Sequence, residues 1–154
     1  MSLSGRPNRP QILIIKETIV SIHSYQTALV TGASSGIGAA CVRMLCKNDV
    51  HVVALDRRAE RLSELSAETG CEVIAMDLRQ TDQLYDVLSD REIDVLINNA
   101  GLAHGLAEGF LGTQSEQVDE MIEVNVTAAI HVLRAVLPSM IRRRLGHIVE
   151  IGSI

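Results

Sequence analysis

Aromatic side chains are almost missing from this 154-residue chain, which has one phenylalanine, two tyrosines and no tryptophan. A core must then be built from valine, isoleucine, leucine, alanine and methionine. That suits the buried aliphatic strands of a parallel sheet and argues against a sandwich or a base-stacking platform. A basic stripe is also missing. Lys and Arg number 14 against 19 Asp and Glu, for a formal charge of −5, and only Arg57-Arg58 and Arg142-Arg143-Arg144 stand together. Nucleic acid is therefore not an expected partner; the triple arginine suits the C-terminal end of a helix, where cations meet the dipole. Cys41, Cys46 and Cys71 form no C-x-x-C and no metal-ligand spacing with histidine, so no metal is expected. Cys41 and Cys71 have apolar neighbours and read as buried thiols in a reducing, cytoplasmic compartment. No apolar stretch approaches the roughly 20 residues of a membrane span, so no membrane is expected either.

What is present, 47% hydrophobic and 21% charged residues, is the profile of one soluble globular domain. Residues 1–25 carry arginines, few acids and an apolar run broken by Lys16 and Glu17. They read as a poorly ordered extension, with an organelle presequence as the alternative. Residues 26–154 then alternate strands with helices. Thr27–Thr31 is a short buried strand, followed by a helix with Ile37, Cys41, Met44 and Leu45 at helical spacing. Val50–Leu55 is a second strand, and a helix over Arg58–Thr69 carries Leu62 and Leu65 on one face with Gly70 as its C-terminal cap. CEVIAM is a third strand leading to Asp77, Thr81–Asp90 a short helix and Ile93–Ile97 a fourth strand. A long helical stretch runs from about Ser115 to Leu145, where Pro138 predicts a kink, and HIVEI is strand five. Apolar strands alternating with helices predict a doubly wound, Rossmann-like parallel α/β sheet with strand order 3-2-1-4-5.

The stretch between the first strand and first helix reads TGASSGIG, with Gly32, Gly36 and Gly38 around Ser34, Ser35 and Ile37. Glycine permits a tight turn and lets a pyrophosphate approach main-chain N–H groups at a positive helix N-terminus. Asp56 closes the second strand eighteen residues past Gly38, near the distance at which an acid accepts from the adenosine ribose 2′-OH. A 2′-phosphate there would meet the carboxylate, and two like charges about 4 Å apart repel by roughly 4 kcal/mol at an effective dielectric near 20. NAD is therefore expected. Arg57 and Arg58 could offset that repulsion, which keeps NADP as the alternative.

The T-G-x-x-x-G-x-G spacing resembles the short-chain dehydrogenase/reductase family, and the likeness runs from about Thr27 to the last residue. Asn98-Asn99-Ala100-Gly101 after strand four, Asp77 after strand three and Asn125 in MIEVNVTAA match in chain order. The resemblance implies hydride transfer between a nicotinamide and a small alcohol or carbonyl substrate. Asp77, with Leu78 beside it, would meet the adenine, and Asn99, Ala100 and Gly101 would line the nucleoside. Ser153 would hydrogen-bond the substrate oxygen and Asn125 would serve the proton relay. Many NADP-using relatives carry Arg or Lys where this chain has Ser35. NNAGLAHGL and RAVLPSMIRRRLGHIVEIGS are similar to the serine-type 3-hydroxy-acid dehydrogenases of the family.

In the family, a tyrosine serves as the proton carrier and a lysine one helical turn later lowers its pKa from near 10. Neither Tyr25 nor Tyr85 is followed by lysine four residues on. The expectation is a fragment that breaks off between two halves of an active site, without the family's last strands. Alone it would be inactive, bind a nucleotide weakly and self-associate through an uncovered sheet edge, in a family that tends to homo-oligomers. A non-catalytic nucleotide-binding or interaction protein of the same fold is the alternative.

Overall fold

A computed structural model describes residues 25–105 and 109–152, leaving nearly all of the N-terminal extension and Ser153 outside the described residues. Five parallel strands, β1 (Thr27–Thr31), β2 (His51–Asp56), β3 (Glu72–Ala75), β4 (Val95–Asn98) and β5 (His147–Glu150), form one sheet in the order β3-β2-β1-β4-β5. Helices α1 (Gly36–Lys47), α2 (Ala59–Thr69), α3 (Thr81–Leu88), α4 (Ser115–Ile122) and α5 (Ala129–Arg143) connect them. This is the Rossmann-like doubly wound fold expected of the sequence pattern.

The inner strands β2, β1 and β4 are largely apolar because both faces of the sheet are covered there. Successive side chains divide between two cores. Ala28 and Val30 of β1, Val52 and Ala54 of β2, and Val95 and Ile97 of β4 pack with Val42 and Leu45 of α1 and Leu62 and Leu65 of α2. Leu29, Val53, Leu55 and Leu96 point the other way, onto Leu84 and Leu88 of α3 and Val132, Val136 and Met140 of α5. Gly70 ends α2 in the left-handed region at φ 75°, as expected. Within this sheet β5 is an edge, and its Ile148 remains 39% exposed.

Four expectations need correction. The buried face of α1 is Gly38, Ala39, Val42 and Leu45, whereas Ile37 and Met44 are exposed. Cys71 is buried, but Cys41 is only half-buried. The long helical stretch is not α throughout: a π turn over Glu123–Ala128 joins α4 to α5, and Pro138 lies within α5. Pro138 is tolerated because the carbonyl it strands, that of exposed Arg134, can be hydrated. Finally, Ser115–Arg143 is long and apolar enough by composition to cross a membrane. Asn125, Thr127 and His131 divide it into short runs, which hides it from a search for unbroken hydrophobic sequence. Here Ala128, Val132, Ala135, Val136 and Met140 of this stretch belong to the core.

At the N-terminal edge of the sheet, Asp94 gathers the chain. Its carboxylate accepts from the N–H groups of Gln26 (2.7 Å) and Thr27 (3.1 Å) and from the Arg143 guanidinium, which also donates to the Ile93 carbonyl at 2.6 Å. Burial alone would push the Asp94 carboxyl up, but Arg143 and the two backbone donors hold it below the usual range. Its stabilising contribution is therefore complete above the unfolded carboxylate value near 3.9 and is lost as pH falls through the lower folded value. Asp94→Ala is expected to lower the unfolding free energy by about 3 kcal/mol near neutral pH, since it leaves Arg143 uncompensated. Urea denaturation at a series of pH values checks this, and the difference from wild type should shrink in acid.

Candidate functional site

The strand order reverses between β1 and β4, and an open α/β sheet forms its crevice at the C-terminal ends of such a pair. Thr31, fully buried at the end of β1, ties the two strands together there. Its hydroxyl donates to Asn98 Oδ1 (3.2 Å) and accepts from the N–H groups of Asn99 and Ala100 (3.0 Å each). Asn99 Nδ2 donates back to the carbonyls of Thr31 (3.0 Å) and Gly32 (3.3 Å). The loops after β1 and β4 are thereby pressed together. A Cβ on Gly32, whose φ is +64°, would lie 2.8 Å from the Ala100 Cα, and one on Gly38 would run into the Gly32 carbonyl. Glycine is required at both positions because backbone occupies the space.

Ser35 stands at the N-cap of α1 in extended conformation, but its side chain makes no cap hydrogen bond. Its hydroxyl instead accepts from Arg58 Nη2 at 2.8 Å. No acidic residue lies in the first turn either. The helix therefore presents backbone donors and the positive end of its dipole to the crevice, an arrangement that could hold a phosphate chain.

Asp56 closes β2 and is 7% exposed. It accepts from the N–H of Ser34 (3.2 Å), the N–H of Arg58 (3.0 Å) and the Arg58 guanidinium (3.3 and 3.4 Å). Burial would raise its pKa, yet these donors hold the carboxyl below its ordinary value. Asp77, after β3, repeats the pattern. It accepts from the N–H of Arg79 (3.0 Å) and from its guanidinium, whose hydrogen bonds, outweighing partial burial, lower the Asp77 pKa.

Together these groups enclose a cavity of about 450 Å³. Of the residues expected to meet a cofactor, Gly32, Ser35, Gly36, Ile37, Asp56, Arg57, Asp77, Leu78, Asn99, Ala100 and Gly101 line it. Ser34 and Gly38 do not line it. Gly38 is buried against Gly32, and Ser34 gives its N–H to Asp56, while its hydroxyl is buried with no partner among the described residues. Arg58, weighed from sequence only as an offset to the Asp56 charge, completes the lining with Met76, Leu102 and Val124, which were not expected. Arg58 had a legible signal, the Asp-x-Arg pattern of Asp56–Arg58 that recurs as Asp77–Arg79. An aspartate that accepts from the N–H two residues on forms an Asx turn, which aims the third side chain back at the carboxylate. Asn125 does not line the cavity. The π turn presents it to Leu102, from whose N–H it accepts (2.7 Å) and to whose carbonyl it donates (2.8 Å), which fixes the loop after β4.

The sequence model of the family described as "short chain dehydrogenase" matches residues 26–154. The chain belongs to that family. Among its short-chain dehydrogenase relatives, the NADP-dependent 3-hydroxy acid dehydrogenase YdfG of Salmonella typhi is 40% identical over 132 residues, covering 81% of this chain and 53% of that protein. The serine dehydrogenase of Escherichia coli superposes with a TM-score of 0.77 at 36% identity, covering 83% of this chain and 62% of the other. A closed form of serine dehydrogenase complexed with NADP+ gives 0.78 at 36% identity, covering 83% and 54%. The chain spans about half the length of the curated relatives it matches.

The Thr31 junction makes a specific demand on stability. Thr31→Val keeps the shape but strands two part-buried N–H groups, so it should lower the unfolding free energy by about 2 kcal/mol, whereas Thr31→Ser, which keeps the hydroxyl, should lower it by less. Chemical denaturation of the two variants checks the difference.

Proposed function

We propose that the cavity holds NADP(H), and that the chain serves an oxidoreductase reaction in which a hydride passes between the nicotinamide and a small alcohol or carbonyl, with 3-hydroxy acids as the substrate class. The observation that carries the cofactor assignment is the Arg58 guanidinium, which lies at the cavity wall and reaches both Asp56 and Ser35. The electrostatic argument for NAD assumed a bare carboxylate at Asp56. That carboxylate is instead held by Arg58 and by the N–H of Ser34, and Arg57 also lines the cavity. Arg58 pairs with Asp56 and Arg79 with Asp77, which leaves Arg57 as the surplus positive charge at the cavity wall, and that suits a 2′-phosphate. The NADP dependence of the similar 3-hydroxy acid dehydrogenase and the NADP+ complex of serine dehydrogenase support the same choice.

In this reading the first-turn N–H groups of α1 and the glycines before them bind the pyrophosphate. Asp56 and Arg58 meet the adenosine ribose and its phosphate, and Asn99, Ala100 and Gly101 line the nucleoside. Bound NADP(H) supplies the hydride-carrying nicotinamide. The remaining task of this chain is to orient it, through the Thr31 junction and the Asn125–Leu102 pair. Ser153, outside the described residues, is assigned the substrate oxygen by family resemblance. Residues 1–154 contain no Tyr-x-x-x-Lys pair, so these residues tested alone should bind without turnover. A non-catalytic nucleotide-binding role shares the same cavity; turnover of 3-hydroxy acids with NADP+ by the longest natural form of the polypeptide separates the two. The free thiols of Cys41, Cys46 and Cys71 fit a cytoplasmic setting. In residues 1–154 tested alone, the β5 edge with its exposed Ile148 is the surface through which copies would associate.

Fluorescence titration with reduced nucleotides tests the cofactor assignment. NADPH should bind about tenfold or more tightly than NADH, and Arg58→Gln should weaken NADPH about tenfold while barely changing NADH. Tighter binding of NADH by the wild type would overturn the assignment.

A further inference from the structure

The two Asp-x-Arg turns are alike in geometry but face different parts of the cavity. Asp56 lies at the end of β2 and Asp77 just past the end of β3, one strand further out, where the Met76 N–H donates to the Asp56 carbonyl at 3.0 Å. If the ribose end of a nucleotide lies at Asp56, the base extends along β3. There Met76 and Leu78 offer apolar walls and Asp77 offers a hydrogen-bond acceptor at the edge.

Resting on the reading of this cavity as an NADP(H) site, we infer that Arg79 is the positioning residue that sets the Asp77 carboxylate to read the exocyclic amino group of the base. Arg79 holds Asp77 from two sides. Its backbone N–H donates to Oδ1 at 3.0 Å, and its Nε contacts Oδ1 at 3.0 Å and Oδ2 at 3.1 Å, while Nη2 donates to Oδ2. A carboxylate has about four acceptor positions. Three N–H hydrogens serve it, that of Nε shared between the two oxygens, which leaves one acceptor position open. An adenine amino group can donate to it; the 6-carbonyl of hypoxanthine would face it oxygen to oxygen.

Arg79 is itself anchored. Its Nη1 meets Glu120 Oε1 of α4 at 3.3 Å, and Glu120 Oε2 lies 2.8 Å from His104 Nε2 in the loop after β4. Arg57 adds positive charge near Asp77, and Glu123 adds negative charge near Arg79. Half-buried on each side, the guanidinium is braced at both ends, unlike an arginine that only neutralises a surface acid. Removing it would leave Asp77 free to rotate away from the cavity.

The test compares equilibrium binding of NADPH with that of reduced nicotinamide hypoxanthine dinucleotide phosphate, which differs only in the base. Wild-type chain should prefer NADPH by about tenfold. Arg79→Met should bring the ratio close to one, mainly by weakening NADPH, and Arg79→Lys should fall between. The ratio is the readout, because a purely structural brace would weaken both nucleotides equally. An unchanged ratio in Arg79→Met overturns the inference; if that variant fails to fold, Arg79→Lys and Glu120→Gln read the same ratio, and an unchanged ratio in both overturns it too. Wild type that binds NADPH without preference overturns the inference alone. Wild type that binds neither nucleotide overturns it together with the NADP(H) reading.

Discussion

A single buried hydroxyl sets the geometry on which the site depends. Thr31 has no water to turn to, so its oxygen must satisfy the start of the loop after β4, and it does so with both following N–H groups. That bond fixes how close the two loops come. Gly32 and Gly38 are consequences of the approach, because a side chain at either would collide with backbone on the far side. The crevice is therefore built into the packing of β1 against β4. The same strands carry Leu29, Val30, Leu96 and Ile97 into the two cores, so the site rests on the best-buried part of the molecule.

Electrostatics shape the cavity against the overall charge of the chain, which is −5. Two aspartates project toward it, and each is held by the arginine two residues on. Both carboxyls stay ionised, and neither faces the cavity as an isolated negative charge. Together with the uncapped start of α1 and with Arg57, this makes the cavity receptive to anions in an acidic protein. Asp94 and Arg143 perform a comparable pairing at the opposite end of the sheet, where the result is mechanical: β1, β4 and the end of α5 are locked together.

Most element positions were legible because they rest on local pattern, and the strand order followed from the doubly wound class that the alternation implies. Runs such as Ala28–Val30 and Leu96–Ile97 are apolar at every position, which only a sheet covered on both faces requires. The glycine spacing and Asp56 were legible because they answer to backbone geometry. Less legible was anything decided across the fold. The hydrophobicity of Ile37 and Met44 suggested a buried face, but Ala39 and Val42 are buried instead because small side chains let α1 lie close to the sheet. Pro138 was a visible signal in the long helix, while the π turn at Glu123–Ala128, carrying no proline or glycine, left no local signal. Arg57 and Arg58 are equivalent in sequence, and only the Asx turn at Asp56 brings Arg58 onto the carboxylate.

The central claim is that residues 31–38 and 98–102 form a ready-made nucleotide cradle in this chain. Backbone hydrogen exchange of the chain with and without saturating NADPH tests it most directly. The account predicts slowed exchange at the N–H groups of Ser35–Gly38 and Asn99–Leu102, with little change in the smaller groove of about 290 Å³ lined by Arg43, Arg61 and Glu68. Protection confined to that groove, or no protection anywhere, would contradict it.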